Sequence, residues 1–170
     1  MKHGTRKLAE QAESLGLDYI ESRSCDEVGE IKGKLNNVEI SVVQSSDARV
    51  TARFKHNLNI ELYLTRPHMK NPELTNFKTN DMCFNIIFGT KRAGTDIIQK
   101  LEINTNLINV FVSFYDKWMF KIEELRISFS HLRCFFNLGE PFHYFIPSAM
   151  LQPICNDITV LVNLIERELC

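Results

Sequence analysis

Between residues 27 and 65 almost every second side chain is apolar, and this alternation constrains the fold of the chain more than any other feature. Ile31, Gly33 and Leu35 alternate with Lys32 and Lys34, and Val38, Ile40 and Val42 alternate with Glu39 and Ser41. Farther on, Val50, Ala52 and Phe54 alternate with Arg49, Thr51 and Arg53, and Leu58, Ile60, Leu62 and Leu64 with Asn59, Glu61 and Tyr63. Successive side chains of a strand point to opposite faces, so a period of two predicts a sheet with one dry face and one wet face. Asn36-Asn37 tolerates positive φ and suits a two-residue hairpin turn, while Ser45-Ser46-Asp47 and His56-Asn57 supply the next breaks. The run therefore predicts four strands in an antiparallel meander.

The flanking segments change period. Residues 5–15 predict a helix, with Thr5 as N-cap, Leu8, Ala12 and Leu15 on one face and Gly16 as its C-terminal glycine. Residues 18–24 predict extended chain. Residues 66–82 carry two prolines and little periodicity, and a connection this long is a candidate interaction loop, with Arg66, His68 and Lys70 as its contact residues. Residues 83–88 read as a further apolar strand ending at Gly89. Residues 94–117 predict a helix in two pieces, capped by Thr95-Asp96 and restarted at Asn104-Thr105. Alternation returns at Leu125, Ile127 and Phe129, and residues 132–136 complete a second hairpin. Pro153 suits the first turn of a closing helix whose apolar stripe is Ile154, Ile158, Leu161, Val162, Ile165 and Leu169. The expected fold is α+β: a mainly antiparallel sheet, with the four-strand meander and later strands, covered on one face by helices that include a C-terminal amphipathic helix. The 170 residues suit a single domain, divided into an N-terminal helix and lead-in (1–26), the meander (27–65), the long loop (66–82) and a strand-helix-hairpin-helix unit (83–170).

Composition narrows the partners. Lys and Arg number 20 against 21 Asp and Glu, a net charge of −1, so no electrostatic footprint for nucleic acid is expected. Cys25, Cys83, Cys134, Cys155 and Cys170 are dispersed, with no Cys-x-x-Cys pair, which predicts reduced thiols and a cytoplasmic setting. The longest uncharged stretch, 141–156, contains three prolines, so no membrane insertion is expected.

The order of elements carries a resemblance. An N-terminal helix ending Gly16-Leu17 leads to Gly29-Glu30-Ile31-Lys32-Gly33 and a hairpin. A strand pair and Asn80-Asp81-Met82-Cys83-Phe84-Asn85-Ile86-Ile87-Phe88-Gly89 follow, and then helix, β-hairpin and helix. In this the chain resembles a group of uncharacterised bacterial domains of unknown function, which place a glycine-containing hairpin early and an Asp-x-x-Phe segment before a strand and helix. Asp81 and Phe84 match that segment. The resemblance implies a fold, with no catalytic role for either residue.

Candidate chemistry is sparse. Gly89-Thr90-Lys91-Arg92-Ala93-Gly94-Thr95-Asp96 has the spacing of a phosphate loop, but Thr95 and Asp96 occupy the positions where that loop needs a lysine and a hydroxyl. What remains is an anion contact at Lys91, Arg92 and Thr95 near a helix N-terminus. His131 and Cys134, with His143 nearby, offer metal-ligand types, yet three residues apart on a strand they face opposite ways, so no metal is assigned. Asp18, Glu21, Asp26, Glu27 and Glu30 read as a solvated acidic face. Strand aromatics Phe54, Tyr63, Phe129 and Phe135 lack the signature of an RNA-binding platform and read as packing. With no convergent catalytic set and no cofactor fingerprint, the favoured reading is a non-catalytic module that binds a protein partner or its own copy. A domain holding a small apolar or lipid-like ligand, for which the 12 phenylalanines are candidate lining, is the second reading. A hydrolytic enzyme with a thiol or carboxylate nucleophile is the third.

Overall fold

A computed structural model describes residues 3–22, 29–44, 48–64, 74–118, 121–137 and 145–170. The elements run α1 (His3–Leu15), β1 (Asp18–Ile20), β2 (Glu30–Leu35), β3 (Val38–Gln44), β4 (Ala48–Arg53), β5 (Ile60–Leu64), β6 (Thr75–Asn76), α2 (Met82–Ile87), β7 (Phe88–Ala93), α3 (Thr95–Ile103), α4 (Thr105–Trp118), β8 (Ile122–Ile127), β9 (His131–Phe136) and α5 (Ser148–Leu169). The nine strands form one sheet in the order β1-β2-β3-β4-β9-β8-β5-β7-β6, and every pair is antiparallel.

Local signals act as expected at several joints. Gly16 takes φ +65°, and the Gly16 and Leu17 N–H groups donate back to Glu13 and Ala12, which closes α1 with a left-handed glycine. Asn36 and Asn37 take φ 49° and 65°, the positive pair that a tight hairpin between β2 and β3 requires. Gly29 permits β1 to lie close: a Cβ there would come within 2.4 Å of the Ile20 carbonyl oxygen.

Three expectations are corrected. The fourth strand of the meander does not pair with the third; the β8–β9 hairpin enters between β4 and β5, and β1 instead extends the run at the other end. Residues 83–88 are not a strand. Asp81 caps a helical turn there, its Oδ1 accepting the Phe84 N–H at 2.8 Å, and the strand begins only at Phe88. The Asp-x-x-Phe segment thus has a local cause: the carboxylate satisfies an orphan donor at the start of α2 and presents Phe84 to the core. Finally, Pro153 lies inside α5, which starts at Ser148 after Pro147 as N-cap. Half of the apolar stretch of α5 is buried; by length and composition alone this helix could cross a membrane.

The helices cover one face. α5 packs on β2, β3 and β4 and touches α1, α3 and α4, while α1 sits on β1 and β2 and α2 on β7. Beneath them the apolar phase of each strand is buried, including Ile31, Ile40, Val42, Val50, Ile60, Leu62, Leu125 and Leu132. All six residues of the predicted α5 stripe are buried as well. At one end Phe77, Phe84, Phe88 and Phe111 pack on one another with ring centroids 4.9–5.9 Å apart, offset or edge-on as aromatic quadrupoles prefer.

The other end is held by buried amides. Gln44 Nε2 donates to Gln11 Oε1 at 2.8 Å, Gln11 Nε2 donates to the Ile146 carbonyl at 2.8 Å, and the Ile146 N–H donates to Gln44 Oε1, joining α1, β3 and the approach to α5. Gln44→Ala is expected to orphan both the Ile146 N–H and Gln11 Oε1, costing about 1–3 kcal/mol for each, read as a lower urea midpoint at unchanged slope. Asp81→Ala is expected to cost about 1 kcal/mol by the same measurement, through loss of the α2 cap.

Candidate functional site

The helix layer leaves the opposite face of the sheet open, and strand register decides which polar side chains meet there. Arg49, Thr51 and Arg53 occupy alternate positions of β4, so all three share that face. Across β4–β9 they stand opposite Phe135, Arg133 and His131 in turn. Across β3–β4 they stand opposite Val43, Ser41 and Glu39, and one strand farther Lys32 lies opposite Ser41. All of these except Phe135 and Val43 line a groove of about 300 Å³, whose charged walls are Lys32, Arg49, Arg53 and Arg133 against Glu30 and Glu39. Four cations against two carboxylates make the groove positive although the whole chain carries −1.

Several of these charges are already matched. Arg53 Nη1 lies 3.5 Å from Glu39 Oε2, an exposed pair of small energetic value. Glu30 Oε1 accepts the Ser41 hydroxyl. The Arg49 guanidinium lies 5.6 Å from the centroid of Phe135, and that of Arg126, in the row of Thr51 and Arg133, 4.9 Å from Tyr63. Arg126 also stands directly opposite Arg133 across β8–β9, a like-charge pair that the Arg126 Nε–Glu124 Oε1 ion pair at 3.2 Å partly offsets. Burial lowers the pKa of His131 from its usual 6.5, and the nearby Arg133 and Arg53 charges push it further down, with Glu39 opposing.

The sequence candidates fall elsewhere. Lys91 and Arg92 sit within β7, not in a loop, and Thr95 opens α3, where Gly94 is the N-cap without a side-chain bond. The Lys91 ammonium lies 5.9 Å from the Tyr63 ring, toward the open face. His131 and Cys134 do point to opposite faces, His131 toward the groove and Cys134 into the core. Burial raises the Cys134 thiol well above its usual pKa and pushes Cys155 up to about 12, which keeps both protonated and poorly nucleophilic. Among the described residues, no three His, Cys, Asp or Glu side chains converge as metal ligands. Arg66, His68, Lys70, Cys25 and His143 lie outside the described residues. The groove itself was missed by the sequence reading, although Arg49-x-Thr51-x-Arg53 and His131-x-Arg133 stand in the polar phase of strands it had located.

No protein-family profile and no curated protein matches the sequence. Among solved structures, the chain is similar to the crystal structure of the mycobacterial trehalose monomycolate transport factor A, TtfA. The TM-score is 0.65 at 10% sequence identity, over 97% of this chain and 96% of that one. The shared feature is the fold, along its whole length.

The groove's field has a direct readout. The His131 imidazole is expected to titrate below 6.5 by NMR, and Arg133→Met to move its midpoint upward. Because the folded value is lowered, stability linked to His131 is present above 6.5 and declines as pH falls through the folded midpoint.

Proposed function

We propose that this chain is a non-catalytic binding domain that holds an acidic, lipid-like ligand on the open face of its sheet. The groove carries the reading: it is positive and of the size of a small-ligand site, and the Phe135 ring lies beside Arg49, one of its lining residues. Four of the phenylalanines, Phe77, Phe84, Phe88 and Phe111, pack on one another between sheet and helices, which supports the open face over an inner cavity at that end. The whole-length likeness of fold to a mycobacterial trehalose monomycolate transport factor supports a lipid-related role without naming the lipid. The protonated, buried thiols of Cys134 and Cys155 are unsuited to thiol chemistry at those two positions.

A second reading, a module for a protein partner or a second copy, is favoured by Met82 and Ile86, exposed one turn apart on α2 at 76% and 56%.

Titration calorimetry with dihexanoyl phosphatidylglycerol tests the first reading. Saturable binding is expected, weakening as salt rises and lost in an Arg49→Glu/Arg53→Glu double variant. Equal binding of dihexanoyl phosphatidylcholine, or no effect of the charge reversal, would refute it.

A further inference from the structure

The geometry points to a phosphate-monoester subsite at the centre of the groove, with Thr51 as its hydroxyl donor and Arg133 and Lys32 as its principal counter-charges. This rests on the reading of the groove as a binding site and specifies the chemical group it takes.

Thr51 is the focus of the arrangement. Arg49 and Arg53 flank it two residues away on its own strand, Arg133 stands opposite on β9, and Ser41 stands opposite on β3 with Lys32 beyond. With neighbouring strands about 4.8 Å apart, the row from Lys32 to Arg133 spans roughly 14 Å, which two long cationic side chains can close over from either end. Ser41 is committed to Glu30, Arg53 to Glu39, and Arg49 lies over Phe135. Among the described residues, the Arg133 and Lys32 side chains and the Thr51 hydroxyl make neither a hydrogen bond nor an ion pair.

Lys32 also faces Asp18 across β1–β2 with no ion pair between them, so two cations outside ion pairs and one free hydroxyl define the ligand. A carboxylate or a phosphodiester brings a single negative charge; a phosphate monoester brings about −1.5 to −2 at neutral pH, with three acceptor oxygens. The guanidinium fork of Arg133 suits two of those oxygens and the Lys32 ammonium acts as a point charge on the third. An anion lying there gives Arg133 a counter-charge, as Glu124 already does for Arg126 opposite it across β8–β9. The groove, at about 300 Å³, is larger than a phosphate and leaves room for the group esterified to it.

Calorimetry on the full chain uses glycerol phosphate, its methyl diester and dihexanoyl phosphatidic acid. The monoester is expected to bind at least about ten-fold more tightly than the diester, and Arg133→Met and Thr51→Val to weaken it about ten-fold or more. Arg6→Met, on α1 and paired with Glu10, is expected to change nothing. Binding of glycerol phosphate identifies a soluble source; binding of phosphatidic acid alone, with the same losses, identifies a lipid headgroup. Should Arg133→Met fail to fold by circular dichroism, Thr51→Val and Lys32→Met decide. If phosphatidylglycerol binds and is lost on charge reversal while monoester and diester bind alike, or the Arg133 and Thr51 variants match wild type, the subsite is wrong and the groove reading stands. If none of these ligands binds, both fall.

Discussion

The pairing of β4 with β9 is the constraint on which the rest of the structure depends. It joins a sheet segment built from the first part of the chain to a hairpin formed some eighty residues later, and it works on both faces at once. On the covered face it sets Val50 against Cys134 and Ala52 against Leu132, all buried beneath the helices. On the open face the same register sets Thr51 against Arg133 and Arg53 against His131. A slip of one residue would exchange the two sets, exposing the apolar row and burying the arginines, so core packing enforces the geometry of the groove. The groove is therefore a by-product of a register that burial specifies.

This coupling explains how a near-neutral chain carries a positive groove. Net charge sums over the whole surface, whereas a sheet sorts charge by parity along each strand and by strand order across it. Arg49 and Arg53 share a parity on β4, and Arg133 joins them only because β9 is their neighbour. Overall charge thus limits long-range steering but says little about a local field.

Different parts of the molecule rest on different kinds of interaction. The end near α2 and β7 is held by stacked and edge-on phenylalanines, which need only shape and burial. The end near α1 is held by the Gln11–Gln44–Ile146 amides, which are directional and tolerate little displacement. Between them Glu166 of α5 accepts the Lys55 and His56 N–H groups, tying the closing helix to the chain just beyond β4. Asn36 and Thr159 make a comparable link at the β2–β3 turn. One link brings the C-terminal part of α5 to the chain beyond β4 and the other brings the β2–β3 turn to the middle of α5, so α5 is tied to the strands at two points along its length.

The sequence by itself determined what depends on near neighbours. The alternation through β2, β3 and β4, the positive-φ asparagines, the C-terminal glycine of α1, the division of α3 from α4 and the stripe on α5 all follow from periods and turn preferences within a few residues. It misjudged residues 83–88, because a short apolar run has no period, and Asp81, whose cap makes it a helical turn, was read only as part of a resemblance. It missed the entry of β8–β9 between β4 and β5 because any two strands with the same alternation can pair, and burial summed over the whole sheet selects among them. The polar residues of the groove were visible one by one as the wet phase of their strands. Only tertiary structure made them a site, since Arg133 and Thr51 are brought opposite each other by long-range hydrogen bonds that no local preference encodes.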